Sequence, residues 1–125
     1  MTEDYNAALE ALLAGTVAAL PPGVAVEVRR FFGGAAAYAE GRICITLSPA
    51  GLALKLPEDG RARLLGEGGG ALRYFPNAPI KKQYVVAPDD LADDADRLRF
   101  WARQAIDYAL TLPAPKRKGR RPTRR

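Results

Sequence analysis

The sequence predicts an α+β domain in two layers, an antiparallel sheet packed by an N-terminal and a C-terminal helix. Two observations carry this. Helix-periodic runs occupy 4–20 and 89–112, at the two ends of the body. Between them, short alternating segments follow one another with turn signals rather than long helices, as adjacent antiparallel strands do. The 48% hydrophobic content over 125 residues suits a single core.

Each element has its own cause. In 4–20, Tyr5, Leu9, Leu12, Leu13, Thr16 and Leu20 recur at helical spacing, Asp4 can cap the start, and Pro21-Pro22-Gly23 ends the run. Residues 24–32 alternate, with Val24, Val26 and Val28 on one face and Glu27 and Arg29 on the other. Gly33-Gly34 interrupts the strand. Ala35 to Ala39 is a segment of small residues around Tyr38, and Glu40-Gly41 is a turn signal. The clearest hairpin is 42–56. Ile43, Ile45 and Leu47 alternate with Arg42, Cys44 and Thr46, and Leu52, Leu54 and Leu56 follow a Ser48-Pro49-Ala50-Gly51 turn. Matching the apolar faces sets Leu47 opposite Leu52, Ile45 opposite Leu54, Ile43 opposite Leu56 and Cys44 opposite Lys55.

Pro57-Glu58 opens a short polar helix expected to carry Leu64 and Leu65 inward. The run Gly66-Glu67-Gly68-Gly69-Gly70 reads as a flexible loop. Ala71–Phe75 and Lys81–Ala87 read as two further strands joined by the turn Pro76-Asn77-Ala78-Pro79. The last helix, 89–112, has Asp89 as its expected cap and Leu91, Ala95, Leu98, Ala102, Ala105, Ala109 and Leu112 in one stripe, with Trp101 and Ile106 alongside. An Asp93–Arg97 pair at i,i+4 is expected on its surface.

Charge divides the chain. Of 19 basic residues, seven lie beyond Pro113: Lys116, Arg117, Lys118, Arg120, Arg121, Arg124 and Arg125. Residues 1–112 therefore hold 12 bases against all 14 acids, so the net +5 is a body at −2 with a cationic tail. The domain is expected to span 1–112. The tail, 113–125, lacks apolar residues able to dock it and is expected to be disordered. No His is present, which excludes Ser/His/Asp and Cys/His catalysis and His-ligated metals. One cysteine, Cys44, excludes an intrachain disulfide and suits a reducing cytoplasm. The acidic start, Thr2-Glu3-Asp4, is unlike a signal peptide, and the stretch Ala7–Leu20, broken by Glu10, is too short to span a bilayer. A cytoplasmic protein without membrane association or cofactor is expected.

The run Arg29-Arg30-Phe31-Phe32-Gly33-Gly34-Ala35-Ala36-Ala37-Tyr38-Ala39-Glu40-Gly41-Arg42 resembles the N-terminal domain family of the TfoX/Sxy bacterial competence regulators. That family runs Arg-x-Met-Phe-Gly-Gly-x-Gly-x-Tyr, then an acidic residue and Gly. Here Phe31 stands for Met and Ala36 for the later Gly. Lys55 after Leu54, Tyr84, Pro88 and Trp101 follow in the family's order, so the resemblance covers roughly 5–112. It implies a two-layer fold like that of secretion chaperones and no established catalysis. Full-length TfoX proteins add a helical C-terminal domain and regulate competence genes with the cyclic-AMP receptor protein. Here the basic tail stands in that domain's place. The motif positions are Arg30, Phe32, Gly33, Gly34, Tyr38, Gly41, Lys55, Tyr84 and Trp101.

Each candidate site has a plainer alternative. Gly33-Gly34 could present N–H groups to an anion, but a bulge or tight turn accounts for the glycines, and no Gly-Lys-Ser/Thr follows to make a phosphate loop. Arg30 shares strand parity with Val28. Either a carboxylate holds it inward or the strand twists out of the core there, and pairing is preferred to ligand binding. Lys55 beside Cys44 would favour the thiolate, yet without a base Cys44 reads as half-buried and inert. Asp89, Asp90, Asp93, Asp94 and Asp96 lack the spacing of a calcium loop and match the positive end of a helix. Arg73-Tyr74-Phe75 with Lys81-Lys82-Gln83-Tyr84 could stack bases, although such aromatics more often pack across strands. The tail can neutralise nucleic-acid phosphates without reading sequence. Lys118-Gly119-Arg120-Arg121-Pro122 approximates an A·T minor-groove hook, with an extra Arg121. The expected partners are an unidentified protein, nonspecific nucleic acid through the tail and a second copy of the chain. The function expected is a non-enzymatic interaction or regulatory domain, or alternatively a tail-driven nucleic-acid-associated protein that the domain dimerises or positions.

Overall fold

The computed structural model describes residues 4–31, 33–73 and 76–113. In chain order the elements are α1 (Tyr5–Ala18), β1 (Val26–Phe31), β2 (Gly34–Ala39), β3 (Arg42–Ser48), β4 (Gly51–Lys55), α2 (Glu58–Gly66), β5 (Gly70–Ala71), β6 (Tyr84–Val86), a 3₁₀ turn (Leu91–Asp93) and α3 (Ala95–Leu110). The strands form one sheet in the order β1-β2-β3-β4-β6-β5, antiparallel at every pairing. The terminal helices α1 and α3 pack on this sheet and on each other, so the α+β class holds.

The core lies between sheet and helices. Leu9 and Leu13 of α1, Ala35, Ala37 and Ala39 of β2, Ile45 and Leu54 of the hairpin, and Leu98, Ala102, Ala105, Ile106 and Ala109 of α3 are buried together. Asp4 caps α1 as expected, its carboxylate accepting from the Ala7 N–H at 3.0 Å.

β2 departs from the sequence reading, in which 35–39 is only a small-residue segment. Alanine has little strand preference, but tertiary context overrides it here. Ala35, Ala36 and Ala37 are buried between β1 and β3, and the small side chains of Ala35 and Ala37, on the core face, let α1 approach. The strand enters through Gly33, at φ 76°, and Gly34. A β-carbon on Gly34 would lie 2.9 Å from both Cα and Cβ of Ser48 and nearer still to the Leu47 carbonyl oxygen, so only glycine fits. At the far end, Glu40 and Gly41 both have positive φ, 50° and 81°. Positive φ at both central residues is the two-residue turn whose twist matches a hairpin.

In the β3–β4 hairpin the expected pairs Leu47–Leu52 and Ile45–Leu54 form. The expected continuation to Cys44–Lys55 and Ile43–Leu56 is not among the paired residues. β4 turns to β6 instead, pairing Lys55 with Tyr84, while the Leu56 N–H donates to the Gln83 carbonyl at 3.0 Å. On the other side, β3 slips against β2 between Ala37 and Tyr38. Ala37 opposes Ile45 and Tyr38 opposes Ile43, leaving Cys44 as the extra residue of a bulge. Strict alternation fails there, and Cys44 joins the core.

The glycine run after α2 is not a loose loop. The Gly69 N–H donates to the Leu64 carbonyl at 3.0 Å and the Gly68 N–H to Leu65 at 3.1 Å, with Gly68 at φ 111°. These are the nested bonds of a Schellman cap, which needs glycine for its left-handed residue. Leu64 is buried as expected, but Leu65 is 47% exposed. The strands expected over 71–75 and 81–87 shorten to β5 and β6, with Tyr74 and Phe75 outside the described residues. Pro76 and Pro79 have no N–H to extend a ladder, and the Arg73 guanidinium donates to the Ala78 carbonyl at 2.8 Å within this excursion. α3 begins later than expected. Leu91 enters the core in the 3₁₀ turn, and Asp94 rather than Asp89 caps the helix, accepting from the Arg97 N–H at 3.2 Å.

The Gly34 crowding generates a stability test. Gly34→Ala is expected to cost about 2–3 kcal/mol or more, because neither contacted backbone can retreat without breaking the ladder. Gly33→Ala meets no neighbour and is expected to cost about 1–2 kcal/mol from its positive φ alone. Urea denaturation of the two variants measures the difference.

Candidate functional site

Directly opposed residues of an antiparallel sheet share a face. Glu27, Tyr38 and Ile43 form one such row, and Lys55 opposes Tyr84 on the neighbouring pair of strands. The half-buried Tyr38 has the Arg29 guanidinium 4.8 Å from its ring centroid, and Arg29 bonds Glu27 at 2.9 Å. That hydrogen bond lowers the Glu27 carboxyl below its usual range and raises the Arg29 guanidinium further. Below this row, Tyr38, Gly41 and Lys55 line a cleft of about 370 Å³ with Arg42, Ile43, Leu112 and Pro113. The bulge makes this possible, because it moves Ile43 out of the Ile45 alternation and opposite Tyr38. Among the described residues, no carboxylate lines the cleft. The Glu40 carboxylate is engaged elsewhere, accepting from the Ala25 N–H at 2.6 Å.

Arg42 holds the chain that follows α3. Its Nε donates to the Leu112 carbonyl at 2.8 Å and its Nη1 to the Glu40 carbonyl at 3.0 Å. The guanidinium therefore ties the β2–β3 turn to the chain just past the C-terminus of α3, where a cation is favoured. Pro113, the first residue of the tail, lines this wall. The tail's candidate contacts, Lys116, Arg117, Lys118, Arg120, Arg121, Arg124 and Arg125, lie outside the described residues.

Trp101 belongs to a different place. It is buried against α2, its Nε1 donating to Glu67 Oε1 at 3.3 Å. The same carboxylate accepts from Arg97 at 3.1 Å, and Arg97 also meets Asp90 at 3.5 Å. The hydrogen bond to Glu67 is the main cause of the raised Arg97 guanidinium. Arg63 lies over the rings of Phe100 and Trp101, 5.1 and 5.5 Å from their centroids. The expected Asp93–Arg97 pair is replaced by this network, because the late start of α3 turns Arg97 toward α2. Every charged group around the cleft of about 610 Å³ here has an opposite charge beside it. The cluster fastens α2 to α3.

The structure thus brings Tyr38, Gly41 and Lys55 together, with Tyr84 beside Lys55, and leaves Trp101 and Arg30 elsewhere. Arg30 is exposed with no ion pair among the described residues, so the strand twists outward there and the expected pairing is absent. Phe32 lies outside the described residues. Lys81, Lys82 and Gln83 are exposed in a turn rather than on a long strand, so they form no flat stacking face. Of the five aspartates near α3, Asp94 is the cap, Asp90 pairs with Arg97 and Asp96 with Arg99. No group of three possible metal ligands occurs among the described residues. Arg42 and Glu67 carry roles that sequence reasoning did not assign. Glu67 was hidden in a glycine run, and Arg42 was visible only as the end of the motif.

The family model described as the TfoX N-terminal domain matches residues 18–109. No curated protein and no solved structure gives a significant match.

Cys44 is fully buried rather than half-buried, and its Sγ donates to the Ala37 carbonyl at 3.4 Å. Burial pushes its thiol up to about 12, partly offset by a backbone hydrogen bond at Ala39 and by the Lys55 charge. The unfolded thiol ionises near 9 while the folded one stays protonated, so unfolded chain binds fewer protons and stability falls as pH rises between these values. Relative to Cys44→Ala, wild-type stability is expected to be level below pH 9 and to fall by about 1.4 kcal/mol per pH unit above it. Urea melts from pH 8 to 11 measure the slope, and thiol-specific alkylation should be slow until denaturant is added.

Proposed function

The chain belongs to the TfoX N-terminal domain family, and from that premise we propose a non-enzymatic interaction domain of regulatory type that takes an acidic, aliphatic segment of a protein partner in the Tyr38–Lys55 cleft. The observation that carries this is the convergence of Tyr38, Gly41 and Lys55 on one cleft with apolar walls, Ile43 and Leu112, two cationic side chains and, among the described residues, no carboxylate. Lys55 and Arg42 would meet the acid, and the aliphatic walls would bury the rest. Catalysis has little to work with: the chain has no histidine, and its one thiol is sealed in the core. Among the described residues no helix is long and apolar enough to cross a membrane. A single buried thiol fits work in a reducing cytoplasm.

The tail supports a second function, contact with nucleic acid. Its seven bases follow directly from the root that Arg42 holds. In this version the domain positions the tail, and affinity for duplex DNA comes from phosphate neutralisation, with a log–log salt slope of up to about −6.

A pull-down from nuclease-treated and untreated host lysate separates the two. The interaction domain is expected to retain its partner after nuclease and after deletion of 113–125, and to lose it on Lys55→Glu. Capture that vanishes with nuclease or with the tail, and survives Lys55→Glu, overturns the cleft in favour of the tail. Conversely, a 1–112 fragment that binds duplex DNA as well as the whole chain rules the tail out as the source of that binding.

A further inference from the structure

The two edges of the sheet are built differently. β5, at one edge, has two residues. β1, at the other, has six, pairs with β2 in unbroken register from Val26–Ala39 to Phe31–Gly34, and contains no proline, lysine or bulge. Proline, lysine and bulges are among the devices that blunt an exposed edge; the charges β1 does carry, on Glu27, Arg29 and Arg30, set which partner it can take. Among the described residues, no strand lies beyond it.

The Glu40 N–H donates to the Ala25 carbonyl at 2.9 Å, which fixes the alternation of the ladder. Ala25, Glu27, Arg29 and Phe31 turn their backbone groups to β2. The N–H and C=O groups of Val26, Val28 and Arg30 therefore point away from the sheet, ready for another strand.

The side chains select which strand fits. A second copy of β1 can approach antiparallel about a two-fold axis centred on Glu27, Val28 or Arg29. Centring on Glu27 sets that carboxylate against its own copy, and centring on Arg29 sets two guanidiniums together. Like charges directly opposed disfavour a pairing. Centring on Val28 sets Glu27 opposite Arg29 of the second copy, twice, on one face. On the other face Val28 meets its own copy, and Val26 lies against the aliphatic stem of Arg30. In that register all three outward residues, Val26, Val28 and Arg30, face one another, whereas centring on Glu27 or Arg29 pairs only two of them, so hydrogen bonding and charge favour the same alignment.

We propose that two copies of this chain associate through the free edge of β1, antiparallel and two-fold symmetric about Val28, joining their sheets into one. The association uses neither the Tyr38–Lys55 cleft nor the tail and stands independently of both.

Analytical ultracentrifugation of the full chain tests it. The wild type is expected to sediment at twice 13.5 kDa. Val28→Pro removes an outward N–H that the monomer does not use, so it is expected to give a folded monomer. Arg29→Glu is expected to weaken the dimer about tenfold or more, and the charge exchange E27R with R29E to restore it. Facing Val28 α-carbons in a hydrogen-bonded pair would lie about 5.5 Å apart, within disulfide reach. V28C is therefore expected to form an interchain disulfide on mild oxidation, with buried Cys44 silent. A wild type monomeric at all concentrations, a Val28→Pro dimer, or a V28C dimer that does not cross-link overturns the proposal. If Val28→Pro fails to fold, the cross-link and the charge exchange decide.

Discussion

The backbone of β2 at Gly34 lies so close to β3 at Leu47 and Ser48 that no side chain can stand between them. Much of the domain depends on that contact. It sets the register of β2 against β3, which then runs through Ala35–Leu47, Ala36–Thr46 and Ala37–Ile45. The alanines that follow make the middle of the sheet thin enough for α1 to settle over it. Large strand residues would supply more apolar area but would lift the helix away, and close packing rather than area decides the fit. The residues before the contact serve it too: Gly33 absorbs the positive φ that lets the chain leave β1 and return alongside it.

What the sequence makes legible follows from locality. α1 with its Asp4 cap, β1, and the Leu47–Leu52 and Ile45–Leu54 register could be read because periodicity and turn chemistry act over a few residues. β2 could not, since a glycine, four alanines and a tyrosine in 34–39 carry no strand signal, and only burial between two neighbours makes them a strand. The glycines at 66 and 68–70 looked like slack chain. They are one of the more tightly specified segments, because a Schellman cap uses the left-handed residue that a count of glycines cannot distinguish from disorder. The start of α3 was misplaced for a related reason. Any of several aspartates satisfies a capping pattern, and the choice of Asp94 is made by Leu91 entering the core ahead of it.

The same division holds at the candidate site. Tyr38, Gly41 and Lys55 are visible as motif positions, yet the cleft they share exists only because the β3 bulge sends Ile43 toward Tyr38 and Cys44 toward the helices. Nothing in Arg42-Ile43-Cys44-Ile45 announces a bulge, since strict alternation fits that run equally well. Arg42 reaches Leu112 across 70 residues of chain, and Trp101 reaches Glu67 across 34. Contacts of that span have no local signature. They nonetheless decide how the chain past α3 and the helix α2 are held.

The charges divide into two kinds of work. Glu27 with Arg29, Asp96 with Arg99 and Arg103 with Asp107 are near neighbours in sequence and largely solvated, so water screens them and they contribute little to stability. They do not hold the fold together. Their effect is to cancel charge locally, so the body stays close to neutral and its surface is defined by where cancellation stops. At the cleft it stops because Glu40 is turned to Ala25, leaving Lys55 and Arg42 without a lining carboxylate among the described residues. On β1 it is made within the strand by an oriented pair, Glu27 and Arg29, on the same face on either side of Val28, with Arg30 left over. An oriented pair on an open edge carries a direction that an isolated surface pair does not, because inverting the neighbour by a two-fold axis converts each internal attraction into a cross-strand one. Net charge, which describes the tail so well, is blind to this. The arrangement of charges along six residues says more about what the body can meet than their sum does.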